Sequence, residues 1–94
     1  MPLYTKYEGI RYDDPNVQAE FQRLVEQIAA AERARAPLED RHRRAEGERD
    51  RGKISESQYN EVDDQYISAN NTIARAIKKV DEFLGRNKDY RVMG

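Results

Sequence analysis

The segment Arg51-Gly52-Lys53-Ile54-Ser55 constrains this chain more than any other, because it closes one helix and opens the next. Glycine readily takes the left-handed conformation that ends a helix, and a serine side chain accepts the free backbone N–H groups that begin one. Ser55 and Gln58 have the spacing of a capping box, and Ile54 and Tyr59 occupy the N′ and N4 positions of a hydrophobic staple. A break this short between two long helical patterns leaves them side by side and antiparallel, with residues whose numbers add to roughly 106 facing each other. Leu24 is then expected near Phe83, and Leu38 near Ala69.

Both patterns are helical in period. Asp13-Asp14-Pro15 is a start signal, since an aspartate caps free N–H groups and proline suits the first turn, where its missing N–H costs nothing. From there Val17, Phe21, Leu24, Ile28, Ala31, Arg35, Leu38, His42 and Ala45 recur at spacings of three and four, apolar early and polar late. After the turn, Tyr59, Val62, Tyr66, Ala69, Ile73, Ile77, Val80 and Leu84 do the same, and Gly85 marks the expected end. The reading is all-α: an N-terminal arm over 1–14, a coiled-coil-like hairpin over 15–85 and a C-terminal arm over 86–94. Within the hairpin, helix 1 spans about 15–51, the turn 52–55 and helix 2 about 56–85. Both arms are expected to be non-helical.

Pro37 interrupts the first helical pattern, where it removes one hydrogen bond and crowds the carbonyl of Arg33. The apolar phase runs on unchanged from Ala31 to Leu38, so a kinked but continuous helix is expected rather than a loop. Opposite lies Ser68-Ala69-Asn70-Asn71-Thr72, a stretch of weak helix formers that reads as ordinary solvent-facing polar residues or, alternatively, as the source of an Asn side chain that satisfies the freed carbonyl. Alanines 29, 30, 31, 34 and 36 oppose Ala74 and Ala76, which allows close helix packing or, alternatively, a groove for a third helix.

Composition removes several classes of function. With 17 basic and 18 acidic residues the net charge is −1, so no single-sign field draws in nucleic acid or an anionic membrane. The arginines between Arg33 and Lys53 alternate with Glu39, Asp40, Glu46, Glu48 and Asp50, unlike the cleaner basic face of a DNA-reading helix. Cysteine is absent, which rules out disulfides, thiolate metal sites and thiol nucleophiles. The lone His42 reads as a packed or half-exposed imidazole near Asp63 or Asp64, not as a metal ligand or general base. Glu56, Glu61, Asp63 and Asp64 lack calcium-loop spacing, and no phosphate-binding loop or nucleophile motif occurs. No enzyme activity, metal or cofactor is expected. No apolar run spans a membrane and the first residues lack signal-peptide order, so the expected location is the cytoplasm or a virus-like particle.

Two helices cannot enclose a side chain on every side, and hydrophobic residues make up only 37% of the chain, matched by 37% charged. The hairpin is therefore expected to be completed by oligomerisation or by docking on a larger assembly. Val25 and Ile67 widen the apolar surface beyond one seam. Four of the six tyrosines (Tyr4, Tyr7, Tyr12 and Tyr90) lie in the arms, with Leu3, Ile10, Val92 and Met93 beside them. Disordered tails are poor in aromatics, and tyrosine offers a large apolar face with a polar tip, so the arms have something to cover. These ten residues are assigned to contact with a protein partner. The competing arrangement is that the arms fold back and cap the open end of their own hairpin. The chain is thus expected to be a non-enzymatic interaction or assembly subunit, by analogy a virus or phage component, with a regulatory binder that masks a partner's surface as the alternative.

Overall fold

The structure, a computed structural model, describes residues 2–93. Helix α1 (Pro15–Asp50) and helix α2 (Glu56–Arg86) run antiparallel, joined at the expected turn. Gly52 supplies the left-handed residue with φ +72°. Ser55 accepts from the Gln58 amide at 3.1 Å while Gln58 accepts from the Ser55 amide at 2.8 Å, completing the reciprocal cap. At the other start, Asp14 accepts from the amides of Asn16 and Val17, and Pro15 fills the first helical position.

The register follows from the turn. Arg35 donates to Asn70 at 3.1 Å, Arg41 to Gln65 at 3.1 Å, and Arg49 lies 3.9 Å from Glu56. Leu38 and Ala69 share one groove, and Phe21 stacks on Phe83 with ring centres 6.1 Å apart. The result is an elongated body of 57 × 22 × 16 Å.

Three local expectations are corrected or refined. Helix α1 runs without interruption through Pro37, which is exposed, as is Arg33, whose carbonyl loses its partner. A carbonyl on the solvent side can bond to water, so no side chain is needed from α2. Asn70 instead accepts the guanidinium of Arg35, and Asn71 is exposed. Gly85 does not end α2: the helix continues to Arg86, and Asn87 closes it with both its backbone and side-chain N–H on the Phe83 carbonyl. The terminal arms are also not featureless. The first holds a 3-10 turn (Leu3–Tyr7) and strand β1 (Ile10–Tyr12), and the last holds strand β2 (Tyr90–Val92). The two strands pair antiparallel, Ile10 opposite Val92 and Tyr12 opposite Tyr90.

This pairing explains where the core sits. Tyr7, Ile10, Tyr12, Phe21, Leu24, Ile28, Ala76, Val80 and Phe83 form one buried cluster at the open end of the hairpin, and Ile28 and Val80 are wholly enclosed. The arms thereby supply the third layer that two helices lack. Towards the turn, apolar burial falls to isolated residues such as Ala45, in keeping with the polar late half of the α1 stripe.

Candidate interaction surfaces

The open end forms a closed head. Tyr12 is its centre: the ring meets Phe21, Phe83 and Tyr90 edge-to-face at 5.6, 5.6 and 5.7 Å. Its hydroxyl donates to the Asn87 carbonyl at 2.5 Å, and its amide to Gln18 Oε1 at 2.8 Å. Tyr7 is buried beside it and donates to Asp81 Oδ1 at 2.7 Å. The first turn of the arm is held by Glu32 of α1, whose Oε1 accepts from the Leu3 amide at 2.8 Å and the Tyr4 amide at 3.2 Å. Arg91 on β2 reaches Asp13 at 3.1 Å.

Of the ten residues assigned to partner contact, the structure divides the set. Tyr7, Ile10 and Tyr12 are buried in the chain's own core, and Tyr4, Tyr90 and Val25 pack against that core half-buried. Tyr7, Ile10 and Tyr12 serve the head itself, since covering them with a partner would require the clasp to open, whereas Tyr4, Tyr90 and Val25 keep part of their surface open to solvent. Leu3 (42% exposed), Val92 (75%) and Met93 (63%) remain on its surface. Ile67 is also exposed, at 47%, but lies on α2 away from the arms. Tyr4, Tyr7, Phe21 and Val25 also line a shallow cleft of about 300 Å³, rimmed by Arg11 and Glu26. Residues that sequence reasoning did not single out are Glu32, Asp81, Gln18 and Asn87, which hold the N-terminal arm to the helices and the end of α2, and Gly9, which holds the two arms to each other.

Burial raises the hydroxyl of Tyr7 far above its ordinary value of 10.0, and the hydrogen bond to Asp81 and that carboxylate's charge push in the same direction. Burial, then the neighbouring Tyr90, raises Tyr12 as well. A raised tyrosine favours the neutral phenol in the folded state. Its contribution is therefore fully present below the unfolded value near 10.0 and is lost as pH rises through the folded one. Urea unfolding is expected to show stability falling above about pH 10. Tyr7→Phe should cost about 1–2 kcal/mol at pH 7 and should shrink the alkaline loss to the part due to Tyr12. An equally steep alkaline loss in the variant would show that Tyr7 does not carry it.

Near the turn a second cluster forms. His42 Nε2 lies 2.8 Å from Asp63 Oδ1 and 3.3 Å from the Tyr59 hydroxyl, and the ring stacks on Tyr66 with centres 4.7 Å apart. The Arg49 guanidinium covers Tyr59 at 3.9 Å. The His42 side chain is 19% exposed, and the contacts it makes are those of a seam residue joining α1 to α2. Among the described residues no three histidine or acidic side chains gather as metal ligands would, and no helix is long and apolar enough to cross a membrane. Comparison with protein-family models, with curated proteins and with solved structures found no match.

Proposed function

We propose that this chain is a non-enzymatic interaction or assembly subunit, with the hairpin as a stiff spacer and the head as a protein-contact surface. One observation carries the reading. The head is held by side-chain and backbone hydrogen bonds from both helices, yet it leaves Leu3, Val92 and Met93 exposed. Apolar side chains on a fixed scaffold bind without a large ordering cost, because the backbone that presents them is already held.

Val92 and Met93 are the residues to change, since neither belongs to the buried core. The double variant Val92→Asp, Met93→Asp is expected to shift stability by no more than about 0.5 kcal/mol, as surface changes do. Affinity purification of the native complex should lose its protein partner in that variant. A partner retained at full stoichiometry by a correctly folded double variant would remove the head from the interface. Copy number then refines the role: many ordered copies in one particle mark an assembly component, and a one-to-one complex marks a binder.

A further inference from the structure

The two-stranded sheet of the head has two outer edges, and they are not alike. In an antiparallel pair, residues that exchange backbone bonds with each other alternate with residues whose N–H and C=O groups point outward. Met93 donates to Gly9 at 2.7 Å, so the next bonded pair is Arg11 with Arg91. The outward groups then belong to Ile10 and Tyr12 on β1 and to Tyr90 and Val92 on β2. The β1 edge is covered from within the chain: Gln18 Oε1 accepts the Tyr12 amide at 2.8 Å, Arg11 donates to the Ile10 carbonyl at 3.0 Å, and α1 packs alongside. On β2 the backbone groups of Tyr90 and Val92 form no hydrogen bond among the described residues, and Arg91 and Val92 are exposed. A strand edge in this state is a template for another strand.

We propose that this edge is the two-fold interface of a homodimer, in which β2 of a second copy pairs antiparallel with β2 and the axis passes between the two Tyr90 residues. Parity admits only registers that set outward groups against outward groups, and charge chooses among them. With Tyr90 on its counterpart, these two residues exchange both backbone bonds, and the Val92 amide meets the carbonyl of the partner's Lys88. Arg91 then stands opposite the partner's Asp89, and symmetry makes that contact twice. Both contacts fall at non-bonded positions, where side chains come closest. Moving the axis by one residue opposes Arg91 to Arg91 in one direction and Asp89 to Asp89 in the other.

The remaining charges of the strand and its lead-in fit the same register. Arg91 places one guanidinium nitrogen on Asp13 and its side chain is 72% exposed, which leaves donors for the partner's Asp89. Asp89 and Lys88 are exposed and, among the described residues, form no ion pair. Lys88 comes opposite the partner's Val92, whose exposed side chain its alkyl stem can cover. Arg11 lies one strand further in, on the Ile10 carbonyl. The backbone bonds supply the attraction, and the ion pairs set direction and register. This deepens the interaction reading above and rests on it only in taking the head as a protein-contact surface.

The test is sedimentation equilibrium of the full chain from micromolar to near-millimolar concentration. The wild type is expected to dimerise within that range, and Asp89→Arg or Arg91→Asp alone to weaken the dimer by on the order of tenfold or more with helicity unchanged. An equimolar mixture of the two variants should dimerise again, because every Arg then opposes an Asp. Hydrogen exchange at the Tyr90 and Val92 amides should slow as wild-type concentration rises, while the Arg91 amide, bonded within the chain, should not respond. The Val92→Asp, Met93→Asp variant should remain dimeric, since its backbone edge is intact and the new Asp at 92 faces the partner's Lys88, so failure of the head reading is seen separately. A wild type that stays monomeric throughout, single variants that dimerise as well as the wild type, or a mixture that stays monomeric would each overturn the proposal.

Discussion

Tyr12→Ala is expected to lower the unfolding free energy by about 3–5 kcal/mol, as for other large buried aromatics cut back to a methyl. The ring is the common neighbour of Phe21, Phe83 and Tyr90, which come from α1, α2 and β2. Removing it takes a partner from all three at once. The loss also leaves the Asn87 carbonyl without its hydroxyl donor just where α2 ends. In a domain of this size each kcal/mol moves the melting temperature by about 4–8 °C, so the variant should melt at least ~12 °C lower. Tyr12→Phe keeps the packing and loses only the hydroxyl bond, and should cost about 1 kcal/mol. Circular dichroism melts of the two variants check this. A change below about 1 kcal/mol in Tyr12→Ala would mean that the arm is not part of the folded core.

The second large effect is expected at Gly9. Its φ of +88° is one that L side chains rarely adopt, and a Cβ there would collide with the Met93 backbone carbonyl. The same residue's carbonyl accepts the Met93 amide at 2.7 Å, so the collision falls on the bond that extends the β1–β2 pair. Strained φ and displaced backbone together should cost Gly9→Val about 2–4 kcal/mol. Gly52→Ala is the control, because its φ of +72° is also left-handed but nothing lies within 4 Å of the added carbon. That change should cost only about 1 kcal/mol. Hydrogen exchange at the Met93 amide localises the damage: it should accelerate strongly in Gly9→Val and little in Gly52→Ala. Equal protection in both variants would show that the clasp is not closed at Gly9.

What could be read beforehand was local or followed from local geometry. Gly52, Ser55 and Gln58 lie within seven residues of one another, and their chemistry announces the turn. Once the turn is placed, the contacts Arg35–Asn70 and Arg41–Gln65 follow from helix rise alone. The β1–β2 pair was beyond this reasoning, because Ile10-Arg11-Tyr12 and Tyr90-Arg91-Val92 are three-residue strands far apart in the chain. A faint signal was present in that both segments read apolar, arginine, apolar, the alternation of a half-covered strand. Tyr7 with Asp81 and Leu3 with Glu32 carry no such signal, being single long-range bonds.

The aromatic arms were correctly read as needing cover, but amino-acid type does not distinguish cover by the chain itself from cover by a neighbour. Burial does, and it assigns Tyr7, Ile10 and Tyr12 to the chain's own core. Gly85 was misjudged for a related reason. A glycine is permissive rather than obligatory as a stop, and the terminus moved to Asn87, whose side chain could reach the Phe83 carbonyl.

The clasp also decides how the molecule would bear a load. Strands β1 and β2 are antiparallel, so the leading end of β1 and the trailing end of β2 lie together, next to the Gly9–Met93 bond. A pull applied between those ends would open the strands one rung at a time like a zipper. Force passed lengthwise from the head to the turn would instead run along two stiff rods fixed at each end.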